Sequence, residues 1–129
     1  MSEQLESTYR RYLNALNDRR FDELGDFVHD QLTYNGEQIT REQYTAMLIE
    51  DVRVIPELRY DIDLLVVGDG HVASRISFDC RPRGEFLGIS VDGRRVSFAE
   101  HVFYRLREGR IERVWSLLDR DAIRNQVGR

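Results

Sequence analysis

One carboxylate in this chain sits where ionisation is costly. Along Val96 to Arg107, VSFAEHVFYRLR, alternation sets Phe98, Glu100, Val102, Tyr104 and Leu106 on one strand face. Ala99, His101, Phe103 and Arg105 fall on the other. A carboxylate on an apolar face loses hydration, which raises its pKa towards neutrality and suits it to general-base work. Glu100 would then take a proton from carbon next to a carbonyl. The structural alternative is a polar cluster in which Glu100 pairs with Arg95 or Arg113, or bonds to Ser116 and Tyr104.

Other chemistry-bearing residues are sparse. His29, in DFVHDQLTYNG, can reach a pocket together with Tyr34 and Asn35 on the strand and turn that follow, or can be satisfied by carbonyls at a helix end. Tyr12, Phe78 and Tyr104 offer apolar walls for a planar or cyclic ligand, and serve equally as plain core. Asp79 lies with Arg75 and Ser77 on the polar face of its strand, away from any such pocket, and His71 lies in a turn. The three histidines show no metal-ligand spacing, and no phosphate-cradling glycine loop precedes a helix. No GxSxG occurs, and the lone Cys80 has no identifiable histidine partner. No cofactor or metal is expected.

The elements that position these groups follow from periodicity. Leu5, Tyr9, Tyr12, Leu13 and Leu16 recur at helical spacing, predicting a helix that ends near Asn17-Asp18. Phe21 to His29 reads as a short second helix interrupted by Gly25, followed by a turn at Asn35-Gly36. Thr40 with Gln43 is a capping-box signal for a helix carrying Tyr44, Met47, Leu48 and Val52 and stopping before Pro56. Four strands are then expected at 59–67, 71–81, 96–107 and 111–118, with a glycine-containing stretch at 82–95 and a short closing helix capped by Asp119. Helices first and antiparallel strands afterwards give an α+β fold with helices on one sheet face.

Composition narrows the function classes. With 129 residues and no linker, a single domain over 1–129 is expected. Acids outnumber bases, 23 to 19, so no basic footprint for a nucleic acid exists. No apolar run suits a membrane span, no signal-peptide core opens the chain, and the single cysteine fits a reducing compartment, so a cytoplasmic location is expected.

The register of the last hairpin decides what lies beside Glu100. A three-residue loop Arg107-Glu108-Gly109 pairs Leu106 with Arg110 and sets Glu100 opposite Ser116, whereas a two-residue turn sets it opposite Leu117. The bulged three-residue loop is the expectation, because glycine then takes the position needing a positive φ. On the opposite face Phe103, Trp115 and Leu117 form an apolar patch. It either joins a second subunit in a homodimer or, through Trp115, closes the domain's own core.

Three segments, GEFLGISVDGRRVSF, HVFYRLREGRIERVW and SLLDRDAIRNQ, resemble the SnoaL-like polyketide cyclases, or predicted ester cyclases, of the nuclear transport factor 2-like superfamily. The resemblance implies a cone: a strongly curved, mostly antiparallel sheet wrapped by N-terminal helices around a cofactor-free pocket, usually in a homodimer. Cyclases of this family are thought to close rings on ester-bearing polyketides, using a pocket aspartate and histidine. Those two positions fall on Ser116 and Val102, and the polar position beside them on Glu100. The resulting expectation is acid-base cyclisation or isomerisation of a small hydrophobic carbonyl compound. Glu100 would be the base, with Tyr104, Ser116 or His29 steadying the enolate oxygen. The competing classes are a non-catalytic ligand-binding module and an accessory dimerisation domain.

Overall fold

A computed structural model describes residues 2–128. Helix α1, Ser2–Asn17, buries Tyr9, Tyr12, Leu13, Ala15 and Leu16, the stripe its periodicity predicts. Asn17 fixes its end, because its side chain both donates to the Tyr60 carbonyl (3.1 Å) and accepts from the Tyr60 amide (2.7 Å). The expected second helix is only a 3-10 turn over Phe21–Asp26, after which β1 runs from Val28–Tyr34. Non-local pairing overrides the local pattern here. The Phe27 carbonyl accepts from the Ile111 amide at 2.7 Å, and β1 lies parallel to β8, Arg110–Leu118.

Asn35-Gly36, both at positive φ, turns β1 into β2, Glu37–Thr40. Thr40 then caps α2, Arg41–Val54: its hydroxyl accepts from the Gln43 amide (3.1 Å), and Gln43 Oε1 accepts from the Thr40 amide (2.9 Å). Next come β3, Asp61–Gly68, and β4, His71–Cys80. The stretch at 82–95 carries a small separate ribbon, β5 (Glu85–Phe86) and β6 (Ile89–Ser90). The long strand β7, Val96–Arg107, pairs with β4 and β8, giving the sheet order β2-β1-β8-β7-β4-β3. Only the β1-β8 pair is parallel in this curved sheet. Helix α3, Arg120–Val127, is capped by the Asp119 carboxylate and docks on β7 through buried Ile123 and a two-way bond between Gln126 and the Ser97 backbone.

The last hairpin differs from expectation in a way that preserves its faces. Glu108 and Gly109, at φ 54° and 77°, form a two-residue turn, so Arg107 pairs with Arg110. That turn alone would set Glu100 opposite Leu117. An irregularity just beyond it, between Leu106↔Ile111 and Arg105↔Arg113, inserts Glu112 as an extra residue and shifts the register by one. Glu100 therefore pairs with Leu118, Val102 with Ser116 and Tyr104 with Val114. Even-numbered residues still face inward, but Ser116 sits diagonally from Glu100 rather than opposite it. Trp115 does not close the core. It is half-buried on the outer face, with the Arg113 guanidinium 4.5 Å above its ring and His71 alongside.

No helix among the described residues is long and apolar enough to cross a membrane.

Candidate active site

The inner faces of β4, β7 and β8 meet α1 and α2 around a narrow cavity. Glu100, Val102 and Tyr104 reach it from β7, with Phe78 from β4 and Val114 from β8. Tyr12 enters from α1, Tyr34 from β1, and Tyr60 from the segment before β3. Helix α2 supplies Tyr44, Met47, Leu48 and Asp51, spaced along one helical face. The volume is about 80 Å3, roughly half that of the ~150 Å3 apolar cavity known to hold benzene. A ring-bearing ligand therefore needs the wall to yield. One part of that wall, Phe86, is carried on the short β5-β6 ribbon, whose strands pair through Glu85↔Ser90 and Phe86↔Ile89.

Glu100 is the deepest charge in this space. Its Oε2 accepts a short hydrogen bond from the Ser116 hydroxyl. Burial raises its pKa most; the Ser116 bond opposes this, and the negative charge of Asp51 adds to the rise. None of the arginines weighed as partners reaches it: Arg95 pairs with Asp79 (2.5 Å) and Arg113 covers Trp115. Ser116 is itself held in place, because Asn35 accepts from its amide at 2.8 Å and donates to its carbonyl at 3.2 Å. The Asn35-Gly36 turn thus positions the partner of Glu100 from the far edge of β1.

Asp51 is the group that sequence reasoning missed. Its carboxyl is pushed up to about 6, mainly by burial and then by neighbouring Glu50. The signal was present: Asp51 follows Tyr44 and Leu48 at spacings of seven and three residues, on the same buried stripe. An acid at the margin of such a stripe reads as its solvated edge until the sheet is folded against it. Tyr12 and Tyr44, both buried, share a 2.6 Å hydroxyl-hydroxyl bond, and burial raises the pKa of each, so both stay protonated at neutral pH.

The sequence candidates divide as follows. Tyr12, Tyr34, Phe78, Val102 and Tyr104 line the cavity together with Glu100. Ser116 touches Glu100 without lining the space itself. His29 is not part of it: the residue lies in β1 rather than at a helix end, is buried, and bonds through Nε2 to the Arg107 carbonyl at 2.8 Å. It closes the mouth of the β7-β8 hairpin instead. Asp79 is exposed, as its strand face implies. Among the described residues no cluster of three or more His, Cys, Asp or Glu is arranged to hold a metal ion.

Helices packed on a curved six-strand sheet in this order are the nuclear transport factor 2-like fold. The family model of the SnoaL-like polyketide cyclases matches residues 6–127, and the chain belongs to that family. A SnoaL-like polyketide cyclase from Agrobacterium tumefaciens is 44% identical, with a TM-score of 0.94 over 96% of this chain and 98% of that one. IdmH from Streptomyces antibioticus (20% identical, TM-score 0.84, covering 98% and 99%) shares the fold. So does TsrD from Streptomyces laurentii (22%, 0.85, covering 99% and 97%). No curated protein matches the chain.

Proposed function

We propose that the protein is a cofactor-independent acid-base enzyme that cyclises or isomerises a small hydrophobic carbonyl compound. The observation that carries this reading is Glu100: a carboxylate of raised pKa, aimed into an aromatic cavity and oriented by Ser116. Glu100 takes the proton from carbon beside the carbonyl, and the electron pair moves onto the carbonyl oxygen as an enolate. In isomerisation the proton returns to another carbon of the same molecule. In cyclisation the enolate carbon attacks a second carbonyl, a carbon-carbon bond forms, and the new alkoxide takes the proton back from Glu100. Asp51 contributes by its charge, since a negative neighbour makes Glu100 a stronger base. Ser116 is engaged by Glu100 and His29 lies elsewhere, so the enolate oxygen is left to the cavity tyrosines, Tyr104 and Tyr34 above all.

Identifying the substrate comes first, by mass spectrometry of small molecules that co-purify with the chain. Turnover of that compound against pH, in wild type and Glu100→Gln, then tests the role. Loss of turnover with an intact fold supports it, and unchanged turnover overturns it. A second reading, a binding module without catalysis, is supported by the resemblance, which puts the family's aspartate and histidine positions on Ser116 and Val102.

We further propose a cytoplasmic homodimer formed through the outer sheet face. Phe103 is 52% exposed and Leu117 76%, and the register continues their rows through Ala73 and Arg75 to Val66 and Leu64, each 60% exposed. An apolar surface crossing four strands is the kind that pairs with a second copy of itself.

A further inference from the structure

The cavity is lopsided in charge. The chain has nineteen arginines, no lysine and three histidines, and none of those described lines the cavity. Two carboxyls do line it, surrounded by five tyrosine and three phenylalanine rings. The arginines adjacent in sequence to lining residues are committed elsewhere, Arg11 to Thr8 and the Phe27 ring, Arg59 to Asp61, Arg105 to Glu112 and Arg113 to the Trp115 ring, and so are two that lie two or three residues off. Arg53 pairs with Glu50, and Arg19 donates to the carbonyls of Leu16 (3.0 Å), Pro56 (3.2 Å) and Leu58 (2.5 Å).

Asp51 is left uncompensated. Every ion pair among the described residues is made by another acid, and its carboxylate accepts none of the side-chain hydrogen bonds found there. Glu100 has the Ser116 hydroxyl but no cation. A desolvated carboxylate without a counter-charge is strongly disfavoured, and a positive group brought into the cavity removes that penalty. Aromatic faces act in the same direction, since their negative quadrupoles attract cations most strongly where water is excluded. An anionic ligand would meet two acids and no base.

From this juxtaposition we propose that the cavity selects a small organic cation, a protonated or quaternary amine, held between Asp51, Glu100 and the tyrosine rings. The proposal deepens the reading of this cavity as the ligand site. Together the two describe an amine-bearing carbonyl compound. It does not depend on Glu100 being catalytic.

Three probes share one ring and differ in charge: benzylamine, benzyl alcohol and benzoate. Their affinities for the full chain at pH 7.5, from ligand-observed NMR titration, should fall in that order, with benzylamine at least about tenfold tighter than benzyl alcohol. Asp51→Asn should cost most of that preference while leaving benzyl alcohol binding unchanged, which also reports an intact pocket. The Asp51→Asn/Glu100→Gln double variant should lose the preference entirely. Equal affinity for amine and alcohol, or tighter binding of benzoate, overturns the proposal and leaves the proposed reaction standing. Amine preference surviving in the double variant overturns it too, by placing the cation elsewhere. Failure of all three probes to bind overturns this proposal together with the ligand-site reading beneath it.

Discussion

Replacing Asp51 with asparagine should stabilise the protein at neutral pH and have almost no effect in mild acid. The carboxyl ionises near 3.8 when unperturbed and near about 6 in the fold, where burial and then Glu50 disfavour its charge. Between those values the native state holds a proton that the unfolded chain has released, so stability falls as pH rises from about 4 to about 6. Each pH unit of separation corresponds to about 1.4 kcal/mol, which sets a ceiling of about 3 kcal/mol. Asparagine keeps the shape and cannot ionise. Wild type and variant should therefore match at pH 4, and the variant should lead by about 1–3 kcal/mol at pH 8. For a domain of this size that is a rise in Tm of roughly 3–10 °C. Urea unfolding at intervals from pH 4 to pH 8 measures the difference directly, provided the m-values agree. Parallel stability curves, or a variant less stable at pH 8, would refute the reasoning, because either result means that the ionised Asp51 is satisfied in the fold.

Tyr44→Phe leaves the Tyr12 hydroxyl without its 2.6 Å partner and should destabilise by about 1–3 kcal/mol in urea unfolding, with Tyr12→Phe/Tyr44→Phe recovering part of the loss. Thr40→Ala removes the cap of α2 and should destabilise the protein by about 1 kcal/mol, lowering the urea midpoint at unchanged m. Trp115→Arg, on the outer face under Arg113, should convert the proposed dimer to a monomer by light scattering; a wild-type monomer would end that proposal. Asn35→Ala frees Ser116 from its backbone clamp and, once a substrate is known, should lower kcat more than it raises KM.

Much of this protein was legible residue by residue, for a physical reason. Alternation along Val96–Arg107, the Thr40-Gln43 cap and the positive-φ turns all act within a few residues, so the sequence carries them explicitly. The same local rules set Glu100 among inward-facing apolar neighbours. Errors arose where distant segments compete. The stretch after Phe21 has a helical pattern, yet the Phe27 carbonyl and the Val28–Tyr34 strand find partners on β8 that no local window contains.

The sequence by itself determined α1, α2, α3 and the strands β3, β4, β7 and β8, the polarity of their faces and the acid on the apolar one. Only tertiary structure decided what that acid meets. The extra residue at Glu112 restored the inward face that a two-residue turn would have lost, because pairing with period two turns a one-residue shift into a change of side. Packing of α2 over the sheet brought Asp51 into the same water-poor space as Glu100, and desolvation, which exists only once that space is enclosed, gave both carboxyls their raised pKa.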